Sequence, residues 1–212
     1  MITVTAFKWV PPFARGLVRD LRVRWALEEA GLPYQSRLLE QGDQKSAEYR
    51  AQQPFGQVPV FEEDGFQMFE SGAIVLHVGE RSESLLPRDP AQRARAVTWV
   101  FAALNTLEPL FGALFDVDVF SAGEEWAKLH RPEAEARVRG RLGELAAALG
   151  DREYLDARFT VGDLVMTTVL RELDYSPLVK NEPRLAAYQA RCEARPAFQR
   201  ALAAHLGDFE NP

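Results

Sequence analysis

Residues 53–71 read QPFGQVPVFEEDGFQMFES. Asp64-Gly65 between two apolar runs predicts a tight hairpin, because a two-residue turn of this kind needs positive φ at its centre. The preceding Val58-Pro59 bond stands where a strand is beginning. A cis isomer there is expected, turning the Val58 N–H and C=O outward, unpaired by the sheet and open to a peptide-like ligand. After the hairpin, Glu70-Ser71-Gly72-Ala73-Ile74 opens a helix with Ser71 as its expected N-cap. Free N–H groups and the positive end of the helix dipole at that point suit a carboxylate.

Outward from this stretch, residues 1–79 alternate strand and helix patterns, whereas almost every segment beyond about residue 90 has helical periodicity. Arg81 to Pro90, RSESLLPRDP, interrupts both patterns and is expected to be a linker. The expected domains are therefore 1–80 and 91–212, joined by 81–90. Arg93 to Phe115 is a long helix perturbed by Pro109, and Glu133 to Leu149 is another, with Val138, Leu142, Leu145 and Leu149 on one stripe and Arg137, Arg139 and Arg141 on a solvated face. Thr160-Val161-Gly162-Asp163 is a capping box ahead of the apolar run Leu164 to Leu170.

Composition excludes several classes. A formal net charge of -6 leaves no broad basic surface for nucleic acid. No run is expected to span a membrane and no signal segment is apparent, so a cytoplasmic protein is expected. The single cysteine, Cys192, permits neither a disulfide framework nor a CxxC pair, and reads as a core residue on a helix. No metal site is expected.

An apolar first strand (Ile2 to Phe7), ALEEAGLPY (Ala26 to Tyr34), Gln44-Lys45-Ser46 ahead of QPFGQVPV, Glu70-Ser71 and FTVGD (Phe159 to Asp163) occur in an order and spacing that resemble the soluble glutathione transferase family. The resemblance covers essentially the whole chain. It implies a thioredoxin-like α/β N-terminal domain that binds glutathione as cosubstrate, and an all-α C-terminal domain that supplies most of the pocket for a small hydrophobic second substrate. Carried onto this chain, it puts Lys45 on the glycyl carboxylate, the Val58 main chain before Pro59 on the cysteinyl unit with Gln57 nearby, and Glu70 and Ser71 on the γ-glutamyl end. A homodimer along the Arg93–Phe115 helix is also implied. Phe55 is either an anchor to the partner subunit or a turn residue packed on its own domain.

The chain departs from that family at the residue that acts on sulfur. Phe7 to Trp25, FKWVPPFARGLVRDLRVRW, contains no Tyr, Ser, Thr or Cys where the family carries its hydroxyl or thiol. A thiol of pKa near about 8.5 needs a positive field or a donor to ionise at neutral pH. The first helix is expected to begin near Gly16 to Arg19, so its dipole with Arg19 or Arg15 is the candidate activator, and the Trp9 N–H is another donor. Trp9, Pro12 and Phe13 are candidate walls of the second-substrate pocket. Arg22 and Arg24 are expected to pair with Asp20, Glu28 and Glu29 on an exposed helix face. Two functions follow: a transferase adding the thiolate to an electrophile or using it to reduce a peroxide or disulfide, or a non-catalytic ligand sensor or interaction module.

Overall fold

A computed structural model of the chain describes residues 1–209. These form two compact units, one of residues 1–87 with 194–209 and the other of residues 88–193. The C-terminal helix, expected with the helical domain, thus belongs to the first unit.

In the first unit a four-stranded sheet has the order β2-β1-β3-β4, from β1 (Ile2–Phe7), β2 (Tyr34–Leu39), β3 (Val60–Glu63) and β4 (Phe66–Phe69). β1 runs parallel to β2 through the crossover helix α1 (Asp20–Ala30) and antiparallel to β3. β3 and β4 form the hairpin, with Asp64 at φ 50° and Gly65 at φ 83° in its turn. α2 (Ala47–Gln52) precedes the hairpin and α3 (Ser71–Gly79) follows it.

α1 packs against both α3 and α9 (Pro196–Gly207). Trp25, fully buried, meets Phe198 edge-on at 4.8 Å between ring centroids. Arg195 clamps Glu29 with two hydrogen bonds of 2.6 and 2.7 Å, and Arg200 reaches Glu28 at 2.7 Å. These contacts are why α9 joins the first unit: helical periodicity says that a segment is a helix, but not which neighbour its apolar face meets.

Arg22 and Arg24 correct the expectation of an exposed face, since they are only 3% and 1% exposed. Arg24 does find Asp20, at 2.7 Å, and also bonds Asp208. Burial works against its charge, but the two carboxylates outweigh that cost and hold the guanidinium above its ordinary value.

In the second unit α4 (Pro90–Phe101) and α5 (Glu108–Phe115) are joined by a π-helical segment, Ala102–Leu107, and continued by another, Asp116–Phe120. The wider turn just before Pro109 accommodates the missing N–H without ending the rod. This corrects the expectation about membrane-spanning runs. Among the described residues, the helix Pro90–Phe120 is long and apolar enough to cross a membrane by length and composition. Its buried positions Ala96, Val100, Ala103, Leu107, Phe111 and Leu114 recur every three or four residues, the pattern of a helix with one face in a protein core.

α6 (Glu125–Leu149) carries the expected stripe, and its Arg137, Arg139 and Arg141 pair with Glu133, Glu135 and Glu144 on the outside. α7 (Val161–Arg171) is buried from Val161 to Leu170, and α8 (Pro183–Glu193) holds the buried Cys192. Gly162 lets α7 approach α4, because a Cβ there would lie 2.6 Å from the Trp99 Cβ.

Thr160 and Asp163 form the capping box. Asp163 also accepts from the Leu155 N–H at 2.8 Å, the Thr160 N–H at 2.9 Å and the Tyr188 hydroxyl at 3.0 Å. Burial pushes its carboxyl above the usual range, and these donors oppose the shift. Asp163→Ala strands three buried donors and is expected to cost about 3–5 kcal/mol, against about 1 kcal/mol for Thr160→Ala. Urea unfolding of both variants measures the difference.

Candidate functional site

The turn ahead of β3 is built from the side of Gln53, which is 2% exposed. Its Oε1 accepts from the Phe55 N–H at 2.7 Å and the Gln57 N–H at 3.2 Å. Gly56 has φ 66°, and a Cβ there would stand 2.7 Å from the Gln44 carbonyl oxygen. Only glycine lets the turn lie so close to the segment that carries Lys45.

Beyond the turn, the Val58-Pro59 peptide is cis. The Val58 main chain lies outside the strand ladders and makes no hydrogen bond among the described residues. Its position is fixed from behind. The Val60 N–H donates to Thr5 Oγ1 at 2.6 Å, Thr5 and Tyr49 hydroxyls meet at 3.0 Å, and the Tyr49 hydroxyl donates to the Gln57 carbonyl at 2.7 Å. Burial pushes the Tyr49 phenol up, which keeps the donor protonated.

Ser71 is not the cap of α3. Glu70 occupies the N-cap at φ 69° and ψ 108°, and Ser71 is the first helical residue. The reason is backbone conformation: Glu70 takes the turn out of β4, so the helix starts one residue earlier than its side chains suggest. A non-glycine residue held at such φ costs of order 1–3 kcal/mol, strain that concentrates at functional sites. It leaves the Glu70 side chain exposed and Ser71 buried, where Ser71 Oγ accepts from Arg22 Nη1 at 3.4 Å. With that lone pair engaged, the serine hydrogen is available to an incoming acceptor.

A cleft of about 260 Å³ is lined by Phe7, Leu17, Val18, Arg19, Gly56, Gln57 and Val58. It brings Arg19 to the exposed Gln57 and the Val58 main chain. Arg15 is not part of this wall; its guanidinium lies over the Phe209 ring, 5.8 Å from the centroid. Trp9 and Phe13, about half exposed, are outside the lining too. Lys45 is exposed at the end of a short 3-10 turn, Asp43–Lys45, and makes no ion pair among the described residues.

α1 begins later than expected, at Asp20 with Arg19 as N-cap. A series of tight turns precedes it, in which the Leu17 N–H is taken by Ala14, the Leu21 N–H by Val18 and the Arg22 N–H by Arg19. The first-turn amides of Leu21 and Arg22 are therefore not open donors. The Val18 N–H, at the cleft wall, is taken up by no acceptor among the described residues.

Thr5, Tyr49 and Gln53 are supporting residues with no role expected from the sequence, and Arg22, expected on an exposed face, is a fourth. A threonine in the buried register of an apolar strand was the available signal for the first.

The family profile for the glutathione S-transferase N-terminal domain matches residues 13–80. Glutathione S-transferase 4 of Zea mays is 32% identical over 186 residues, covering 83% of each chain. This chain belongs to the glutathione S-transferase family. A glutathione S-transferase of Hyoscyamus muticus is 27% identical over 174 residues, 77% of this chain and 82% of the relative. Among solved structures, a glutathione transferase from Burkholderia graminis with two glutathione molecules bound per subunit has a TM-score of 0.83 at 26% identity, covering 96% of this chain and 88% of that one. The thioredoxin-like sheet and largely helical second unit are the fold of this family.

Gly56 and Gly31 share φ 66°, but nothing lies within 4 Å of a Cβ built on Gly31. Alanine at Gly31 is therefore expected to cost about 1–2 kcal/mol for the left-handed backbone alone. Gly56→Ala is expected to cost clearly more, because the Gln44 carbonyl must also move. Equal midpoints for the two variants in urea would contradict this account of the turn.

Proposed function

We propose that this chain is a soluble, cytoplasmic transferase that binds glutathione beside the 53–71 stretch and ionises its thiol in the cleft walled by Leu17, Val18 and Arg19. The observation that carries the reading is the Val58 main chain, which makes no hydrogen bond among the described residues, together with the exposed Lys45 and Glu70 and the Ser71 hydroxyl. Glutathione has a carboxylate at each end, an ammonium at one of them, and two amides between. Lys45 takes the glycyl carboxylate, and the Val58 N–H and C=O pair with the cysteinyl unit beside Gln57. Glu70 takes the ammonium while the Ser71 hydroxyl, its lone pair already held by Arg22, donates to the γ-glutamyl carboxylate. The resulting thiolate attacks a small hydrophobic electrophile or reduces a peroxide or disulfide.

The wall of the cleft supports a second reading. Phe7, Leu17 and Val18 offer sulfur neither a hydroxyl nor a thiol, so a glutathione-binding sensor without turnover is the alternative. Thiol titration separates the two. In the catalytic reading, bound glutathione shows thiolate absorbance below the free thiol's titration, and Arg19→Ala moves it upward by roughly one pH unit or less. Arg15→Ala leaves it in place. A wild-type protein that binds glutathione without shifting its titration is a sensor.

Lys45→Glu and Ser71→Ala each remove a charged hydrogen bond, and each is expected to weaken glutathione binding by about 1.5–3 kcal/mol. Calorimetry giving wild-type affinity for both variants would dismiss the site. We further propose a homodimer. Phe55 is 65% exposed and meets Phe69 edge-on at 6.1 Å between ring centroids, and Phe101 on α4 is 53% exposed. Sedimentation at micromolar concentration is expected to give a dimer that Phe55→Ser weakens; a wild-type monomer would refute it.

A further inference from the structure

Leu17, Val18 and Arg19 form one wall of the cleft, yet they lie in a stretch without regular secondary structure between the turn at Pro12–Ala14 and the start of α1. The residues flanking this tripeptide, Gly16 and Asp20, are both bonded by one side chain. The Gly16 N–H donates to His205 Nε2 at 3.2 Å, and His205 Nδ1 lies 2.9 Å from Asp20 Oδ2. His205 is 1% exposed on α9.

The geometry fixes the state of the ring. Nε2 accepts from an amide, so it carries the lone pair; Nδ1 then bears the hydrogen and donates it to the carboxylate. A neutral imidazole thus joins an N–H at one end of the tripeptide to a carboxylate at the other. The ring itself is held edge-on to Phe209 at 5.0 Å, and the same Phe209 ring lies under the guanidinium of Arg15, the residue before Gly16. Asp20 is fixed in turn by Arg24, which also bonds Asp208 at the end of α9.

We propose that His205 is a positioning residue for the cleft: by bonding Gly16 and Asp20 together it sets where Leu17, Val18 and Arg19 stand. The effect on thiol chemistry rests on reading that cleft as the sulfur site; the clamp itself does not. His205→Phe keeps a ring against Phe209 and loses both hydrogen bonds. His205→Gln restores an acceptor and a donor on one side chain.

In the ligand-free protein, amide exchange at Gly16 and Leu17 is expected to accelerate at least about tenfold in His205→Phe and to return toward wild type in His205→Gln. With glutathione bound, the thiolate titration rises in His205→Phe, while affinity for S-methylglutathione, gripped at Lys45 and Ser71, changes by less than about twofold. Unchanged exchange in His205→Phe overturns the clamp whether or not glutathione binds. Accelerated exchange with an unmoved titration overturns the positioning role. A wild type that binds no glutathione defeats the functional reading, and the exchange result still decides the clamp. Should neither variant fold, long-range proton–nitrogen NMR of the wild type decides: an Nδ1–H tautomer of His205 is expected, and an Nε2–H tautomer or an imidazolium ends the proposal.

Discussion

The candidate site depends on two buried hydroxyls that have only one way to orient. The Val60 N–H can only donate and the Gln57 carbonyl can only accept, so Thr5 must give its hydrogen to Tyr49, and Tyr49 must give its own to Gln57. This chain joins the middle of β1, the side of α2, the turn and the first residue of β3. Buried hydrogen bonds in series strengthen one another, and a missing member leaves its neighbour unsatisfied at the full desolvation cost. The Val58 main chain, without a hydrogen bond among the described residues, lies between the two ends of that chain. Its placement is secured by the buried groups on either side of it.

A second constraint is electrostatic and acts on α1. Asp20, Arg24 and His205 are each 1% exposed, a depth at which an unpaired charge is unaffordable. Removing one member of such a group strands the others, whereas the Glu–Arg pairs along α6 sit at the surface and each contribute little. Residue type alone does not distinguish these cases. The arginines of α1 and of α6 look alike in sequence, and their energetic consequences differ because α9 covers one set and solvent the other.

That difference marks the limit of what the sequence discloses. Local chemistry was legible wherever a conformation is set by adjacent residues: the Asp64-Gly65 turn, the Thr160 capping box and the stripe on α6 need no distant partner to be recognised. Burial of Arg22 and Arg24 was not legible, because it requires knowing that residues 194–209 return to α1. The start of α3 was misread by one residue because Glu70 adopts a φ that side-chain propensities disfavour. At Pro109 the expected perturbation takes the form of a π-helical segment, Ala102–Leu107, which no local rule announced. At the cleft, the missing hydroxyl was plain from Phe7 to Trp25, but that Arg19 lines it and Arg15 does not depends on the turns before α1, which local pattern does not specify.

The magnitudes bear on how a cleft without a hydroxyl would act on sulfur, as proposed for this one. Arg19 is exposed, so its attraction for a thiolate lies toward the aqueous end of the range, about 1 kcal/mol at 4 Å, less than one pKa unit. An aligned main-chain N–H donating to the same charge is worth about 1.5–3 kcal/mol, or one to two units. A main-chain amide such as that of Val18 would therefore have more to give in the proposed site than the guanidinium, but on stricter terms. A Coulombic attraction falls off slowly with distance, whereas a hydrogen bond is lost within a few tenths of an ångström and a few tens of degrees. An active site that dispensed with a side-chain hydroxyl would accordingly move the burden from the identity of one residue to the placement of the backbone. For the segment from Leu17 to Arg19, that placement is held from outside by α9.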